Sequence, residues 1–157
     1  MVMKRIILLI LVVLSLSAFQ ANAQEYQTAI GAKFYAGTGS VGGFNIRHSI
    51  AEHTALEGSL LFFSGGVGLE GLYEYQGPIN GAPGLQYFVG GGALLAIGSG
   101  RFNENSTGFA LRLTGGVDYK FSDVPIDVSL GFDPVFFLVP STGSNLALGI
   151  GIRYVLK

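Results

Sequence analysis

The side chains that could do chemistry are few. The only histidines are His48 and His53, and Ser49, Ser59, Glu52 and Glu57 stand near them in the chain. These are the residue types of a hydrolytic or acyl-transfer set, which needs nucleophile, base and orienting acid within mutual reach. Two histidines at this spacing could also hint at a metal, but no third ligand stands nearby. The spelling G-x-G-x-x-G occurs twice, at Gly37, Gly39, Gly42 and at Gly66, Gly68, Gly71. It cradles a pyrophosphate only where a strand runs into a helix N-terminus, and here each copy leads from a turn into an alternating segment. Both read as hairpin glycines. The chain has no Cys, which removes thiolate chemistry, disulfides and lipid attachment through an acylated cysteine. No catalytic residue, cofactor or metal is therefore assigned.

The elements that would position these residues begin after a leader. Lys4 and Arg5 precede an apolar run at 6–16, and Ala21-Asn22-Ala23 is an A-x-A cleavage site. Residues 1–23 therefore read as a secretory signal with cleavage after Ala23, leaving one domain at 24–157. All 25 glycines fall in that domain, about one residue in five against about 7% on average. Charged residues make up 12% of the chain, about half the usual share. Mean hydropathy is +0.50, yet no apolar run in the domain approaches the 18 or so residues of a spanning helix. A net charge of −1 offers nucleic acid no basic footprint.

Inside the domain the polarity alternates with a period of two, in segments cut by Gly, Asn, Asp and Pro. Eight strands are predicted, at 26–35, 41–50, 55–63, 67–76, 85–97, 109–121, 124–137 and 146–156. Their lengths suit tilted strands crossing a bilayer, which need about 9–11 residues. Without Lys4 and Arg5 the domain keeps 7 of the 9 Lys and Arg and all 10 Asp and Glu. Those within strands are Lys33, Arg47, Glu57, Glu70, Glu74, Arg112, Asp118, Lys120, Asp127, Asp133 and Arg153. In every strand they share one parity, while residues such as Phe34, Phe44, Leu60, Leu69, Val89, Leu113, Phe132 and Ile150 share the other. No strand charge lands on the apolar parity.

Two architectures produce this alternation. A soluble barrel turns its apolar face inward to carry an apolar ligand; a transmembrane barrel turns that face to lipid and keeps the polar face inside. The polar parity is sparse and padded with Gly90, Gly92, Gly116, Gly131, Gly149 and Gly151, which suits a narrow, filled lumen. Tyr26, Tyr73, Tyr75, Tyr87, Tyr119 and Tyr154 all carry outward parity and fall at one end of an up-and-down barrel, the level of an aromatic girdle. The alternation thus favours a monomeric, all-β, eight-stranded antiparallel up-and-down transmembrane β-barrel with a filled polar interior.

The chain resembles the small eight-stranded outer-membrane β-barrels of Gram-negative bacteria, particularly the short Bacteroidetes-type barrels. The most specific stretch is 116–134, where a strand ending Tyr119-Lys120-Phe121 turns through Ser122-Asp123-Val124-Pro125 into an alternating strand. It looks like the penultimate hairpin of that family. The chain departs from the pattern at its end, Tyr154-Val155-Leu156-Lys157, where such barrels finish on an aromatic residue. The resemblance implies an outer-membrane location, outer-membrane lipids as solvent and the barrel-assembly machinery as partner during insertion. It implies a structural or surface-interaction role in the cell envelope rather than an enzyme. A lipid-modifying barrel enzyme, a soluble lipocalin-like barrel and a narrow channel remain as alternatives.

Eight strands enclose only room for side chains, so an open pore is not expected and the inner charges must pair. By depth, Arg47, Glu57, Glu74, Asp118, Lys120, Asp127 and Arg153 form one set. Lys33, Glu70, Arg112 and Asp133 form another nearer the outside. The connector 98–108, with Arg101, Phe102, Asn103, Glu104 and Asn105, is the candidate for contact with an extracellular partner, since binding residues favour loops on rigid scaffolds. His48, near a strand end on the apolar parity, reads as an interfacial side chain with its polar tip among headgroups.

Overall fold

The computed structural model describes residues 28–37, 39–98 and 107–156. The alternating segments form eight strands: β1 (Thr28–Gly37), β2 (Gly39–Ala51), β3 (Thr54–Phe63), β4 (Gly66–Pro78), β5 (Leu85–Gly98), β6 (Thr107–Lys120), β7 (Ile126–Val139) and β8 (Gly143–Leu156). Each pairs antiparallel with its sequence neighbours, and β1 closes on β8 from Thr28↔Leu156 to Ala36↔Leu148. Closure leaves no sheet edge with unpaired backbone groups, the condition that lipid imposes on any spanning sheet. No helix occurs among the described residues.

Most strands run a few residues past the predicted boundaries, into polar positions: β2 begins at Gly39, β4 ends at Pro78 and β8 begins at Gly143. Pairing continues there because hairpin backbones satisfy one another whatever side chains they carry, whereas the alternation stops where the apolar face stops. Ser64-Gly65 makes a two-residue turn between β3 and β4, with Gly65 at φ 86°, a left-handed conformation that glycine adopts without strain. At the end of the barrel that carries Thr28 and Leu156, hereafter the terminal end, the chain between β4 and β5 folds on itself. The Ile79 amide donates to the Leu85 carbonyl (3.1 Å) and the Leu85 amide to the Ala82 carbonyl (3.0 Å). The opposite end is called distal.

The wall turns its faces as period two requires. Phe34, Phe44, Leu69, Val89, Leu113, Leu130, Phe132 and Ile152 all lie outside and exposed. Ten of the eleven strand charges lie inside, each at most 5% exposed. The soluble alternative is overturned here, because the apolar parity forms the outer surface and the ionic parity the core. Water would not tolerate a continuous apolar jacket of this extent, but hydrocarbon does.

Candidate functional site

The lumen holds two ionic layers. In the terminal half, Asp127 on β7 and Arg153 on β8 are register partners, as are Arg47 on β2 and Glu57 on β3. Arg153 binds in three directions: Nη1 to Asp127 Oδ1 (3.0 Å), Nη2 to Glu57 Oε2 (2.7 Å) and Nε to Asn45 Oδ1 (2.5 Å). The Asn45 amide in turn donates to Ser59 Oγ at 3.0 Å. Arg47 passes over its register partner. It pairs with Glu74 Oε2 on β4 (2.8 Å) and with Asp118 on β6, while Asp127 Oδ2 lies 4.0 Å from Nη1. The Arg47 guanidinium also lies 5.4 Å from the centre of the Phe88 ring. Lys33 reaches Glu57, which completes one connected network across β1, β2, β3, β4, β6, β7 and β8.

The distal layer is smaller. Arg112 Nε lies 2.5 Å from Glu70 Oε2, and Tyr35 donates its hydroxyl to Glu70 Oε1 at 2.6 Å. The Arg112 guanidinium stacks 4.1 Å from the centre of the Tyr35 ring, where the π face favours a cation. Asp133 belongs to this layer and enters none of the ion pairs among the described residues. A Cβ added at Gly149 would press on its carboxylate and on the Tyr35 ring.

Two sequence-derived placements change. Lys33, grouped with the outer set, binds in the terminal network, because its long flexible stem spans one layer toward the excess of carboxylates there. Lys120, grouped with the terminal set, lies half-buried at the last position of β6 and enters none of the ion pairs of the described residues. It sits too near the rim to need a buried counter-charge. The terminal network accordingly holds Lys33, Arg47 and Arg153 against Glu57, Glu74, Asp118 and Asp127. The distal layer holds Arg112 against Glu70 and Asp133. Each layer carries one formal negative charge more than its cations.

The histidines do not assemble a catalytic set. Glu57 and Ser59 point into the lumen and are buried, whereas His48 carries the outward parity of β2 and shares a hydrogen bond of 2.7 Å between its Nδ1 and Thr28 Oγ1. The barrel wall separates them. His53 lies in the turn after β2, its Nδ1 3.1 Å from the Gln76 carbonyl and its ring 5.7 Å from that of Tyr75. No group of three or more His, Asp or Glu among the described residues is placed to hold a metal. Both G-x-G-x-x-G copies lie where β1 turns into β2 and within β4, with no helix to present amides to a phosphate.

Of the tyrosine ring, Tyr73, Tyr75, Tyr87, Tyr119 and Tyr154 are exposed on the outer face toward the terminal end. The Tyr75 and Tyr87 rings lie 6.4 Å apart, and Tyr119 meets Phe121 edge-on at 4.8 Å. Tyr26 lies outside the described residues, as do Arg101, Phe102, Asn103, Glu104 and Asn105.

The structure adds a feature that the alternation did not suggest. Above the distal layer the buried part of the lumen turns apolar. Tyr35, Leu61, Leu94, Ala110, Val135 and Ala147 form a buried apolar cluster on the inward, charge-bearing parity. All of them but Ala110 line a cavity of about 630 Å³ that opens at the distal mouth, with Arg112 at its lining as well and Ser40, Ser64, Ser144 and Asn145 toward its rim. Its sequence signal was large apolar residues on the ionic parity, all near distal strand ends.

Comparison with protein-family models finds no match, and comparison with curated proteins finds none either. Solved structures do match. The chain is similar to the N-terminal β-barrel domain of OprF from Pseudomonas aeruginosa, at 17% identity and a TM-score of 0.67, over 83% of this chain and 97% of that one. It is also similar to Neisserial surface protein A, at 13% identity and a TM-score of 0.56, over 82% of this chain and 95% of that one. At these identities the likeness is one of architecture: this chain has the closed eight-stranded antiparallel fold of outer-membrane barrels.

Proposed function

We propose that this protein is a non-enzymatic outer-membrane β-barrel of a Gram-negative cell, exported with cleavage after Ala23. The observation that carries the reading is the pairing of an apolar outer wall with a connected ionic network inside. Such an inside-out arrangement is stable when hydrocarbon is the outer solvent. Outer-membrane lipids are then its immediate partners, the assembly machinery inserts it, and it functions as a monomer. The architectures of OprF and Neisserial surface protein A support the same location.

Its role is structural or surface-interacting: envelope integrity, adhesion or contact through the connector 98–108. Ionic bonds that join opposite walls occupy the middle of a lumen only wide enough for side chains, which argues against a diffusion pore. An epitope inserted between Phe102 and Asn103 tests the topology in intact cells. Antibody labelling without permeabilisation is expected. Labelling only after permeabilisation would place this connector in the periplasm and remove it as a surface contact. In planar bilayers the purified barrel should give no stepwise conductance, whereas regular single-channel steps would assign it to a channel.

A further inference from the structure

We propose that the distal mouth of the lumen is a binding site for a neutral amphipathic molecule, one with a compact apolar body and a single oxygen acceptor directed at Arg112. The inference deepens the membrane-barrel reading and rests on it. Soluble small-molecule sites are concave, about 300–1,000 Å³, mainly apolar, with few polar groups fixing orientation. The distal cavity, at about 630 Å³, has that character. Leu61, Leu94, Val135 and Ala147 supply apolar wall, and all are buried.

Its one buried charged lining residue is Arg112, whereas Ser40, Ser64, Ser144 and Asn145 lie at the more exposed rim. The residue is 5% exposed, and its Nη1 has no hydrogen-bond acceptor among the described residues. A buried donor of this kind is costly when unmet. Nε is committed to Glu70, and the guanidinium plane to the Tyr35 ring. What remains unmet is the Nη1 group with its two N–H donors, on a side chain that lines the chamber.

Charge decides the class of the acceptor. Arg112 is already answered by Glu70, and Asp133 adds a second carboxylate to the same layer. An incoming carboxylate would meet a layer that is formally negative, so its attraction to Arg112 is cancelled. A quaternary amine would be drawn by the excess charge but would face the guanidinium with no acceptor to offer. An alcohol, ester or ketone oxygen accepts from Nη1 without adding charge. The apolar remainder fills the chamber above.

The test uses the full-length mature barrel in lipid nanodiscs, with ¹³C-labelled Leu and Val methyl groups read by NMR so that partition of the probe into lipid is not mistaken for binding. The probes are 1-octanol, octanoate and octyltrimethylammonium, which share one chain and differ in charge. Saturable shifts at Leu61, Leu94 and Val135 are expected with 1-octanol, with octanoate at least tenfold weaker. Ala96→Phe, which places a ring in the chamber wall far from the ionic layers, should abolish the saturable shifts. Arg112→Lys should weaken 1-octanol several-fold while an alkane of equal length is unaffected.

No saturable shift with any probe would overturn the proposal, as would octanoate binding as tightly as 1-octanol. Shifts that survive Ala96→Phe would place the binding elsewhere and overturn it as well. A barrel that stays folded in the nanodisc yet binds nothing would sink this inference alone. One that fails to enter lipid would sink the membrane reading beneath it.

Discussion

Arg47 on β2 pairs with Asp118 on β6, four strands away round an eight-stranded ring. That places its partner on the far wall. The bond therefore crosses the lumen rather than running along the sheet, and Arg153 does the same from β8 to Glu57 on β3. Two such struts, joined through Asp127, brace the barrel from inside and occupy the space that a channel would need.

Removing one end of a strut should be more harmful than removing both. Arg47→Leu leaves Glu74 and Asp118 buried without their cation, and breaking a buried pair in this way costs about 3–5 kcal/mol. Arg47→Leu combined with Asp118→Leu should recover part of that loss, because the paired replacement removes an uncompensated charge. Urea unfolding in lipid vesicles measures both. A single variant as stable as the parent would show that the network does not brace the barrel.

The distal layer makes the same point on a smaller scale. Glu70→Leu orphans both Arg112 and the Tyr35 hydroxyl and should destabilise by about 3–5 kcal/mol. Arg112→Leu should also lower the unfolding midpoint. Unchanged midpoints in both variants would mean that this layer contributes no structural support.

Gly149→Ala tests how tightly the lumen is filled. A methyl group there falls on the Asp133 carboxylate and the Tyr35 ring, and overpacking of this kind costs about 1–3 kcal/mol. Gly71→Ala is the matched comparison, since nothing lies within 4 Å of the added carbon. It should stay within about 0.5 kcal/mol of the parent. Equal effects at the two positions would contradict the packed interior.

The outer face should respond to charge by depth. Leu113, midway along β6 and 52% exposed, should cost about 2–4 kcal/mol as Leu113→Arg, while Ile126→Arg at the terminal rim should cost about 0–1 kcal/mol. The readout is the free energy of folding into vesicles. A flat profile with depth would indicate a water-facing wall.

The fold was legible because a strand's side-chain period is two, so one slip of register would have moved every charge to the wrong face. That constraint reached all eight strands and the inward parity of Arg47, Glu57, Glu74 and their neighbours. Strand ends were less legible. Gly39, Ser40, Gly143 and Ser144 lie beyond the apolar band, where backbone pairing persists without any side-chain pattern to mark it. Partner choice was not legible at all. Parity states that Lys33 points inward, but only the shape of the lumen decides whether its ammonium turns toward Glu70 or Glu57. The apolar cavity escaped for a related reason. Leu61, Leu94 and Val135 sit on the parity that carries the charges, and only closure of the ring brings their three strands together above Arg112.

Gel mobility of the mature protein from an outer-membrane fraction, boiled and unboiled in SDS, tests the central claim most directly. A closed barrel with every strand paired and an ionically braced lumen should resist SDS until heated. The unboiled sample should then migrate at a different apparent mass from the boiled one. Identical mobility, with the protein recovered from the soluble periplasm or the medium, would contradict the transmembrane barrel and the inside-out assignment of its two faces.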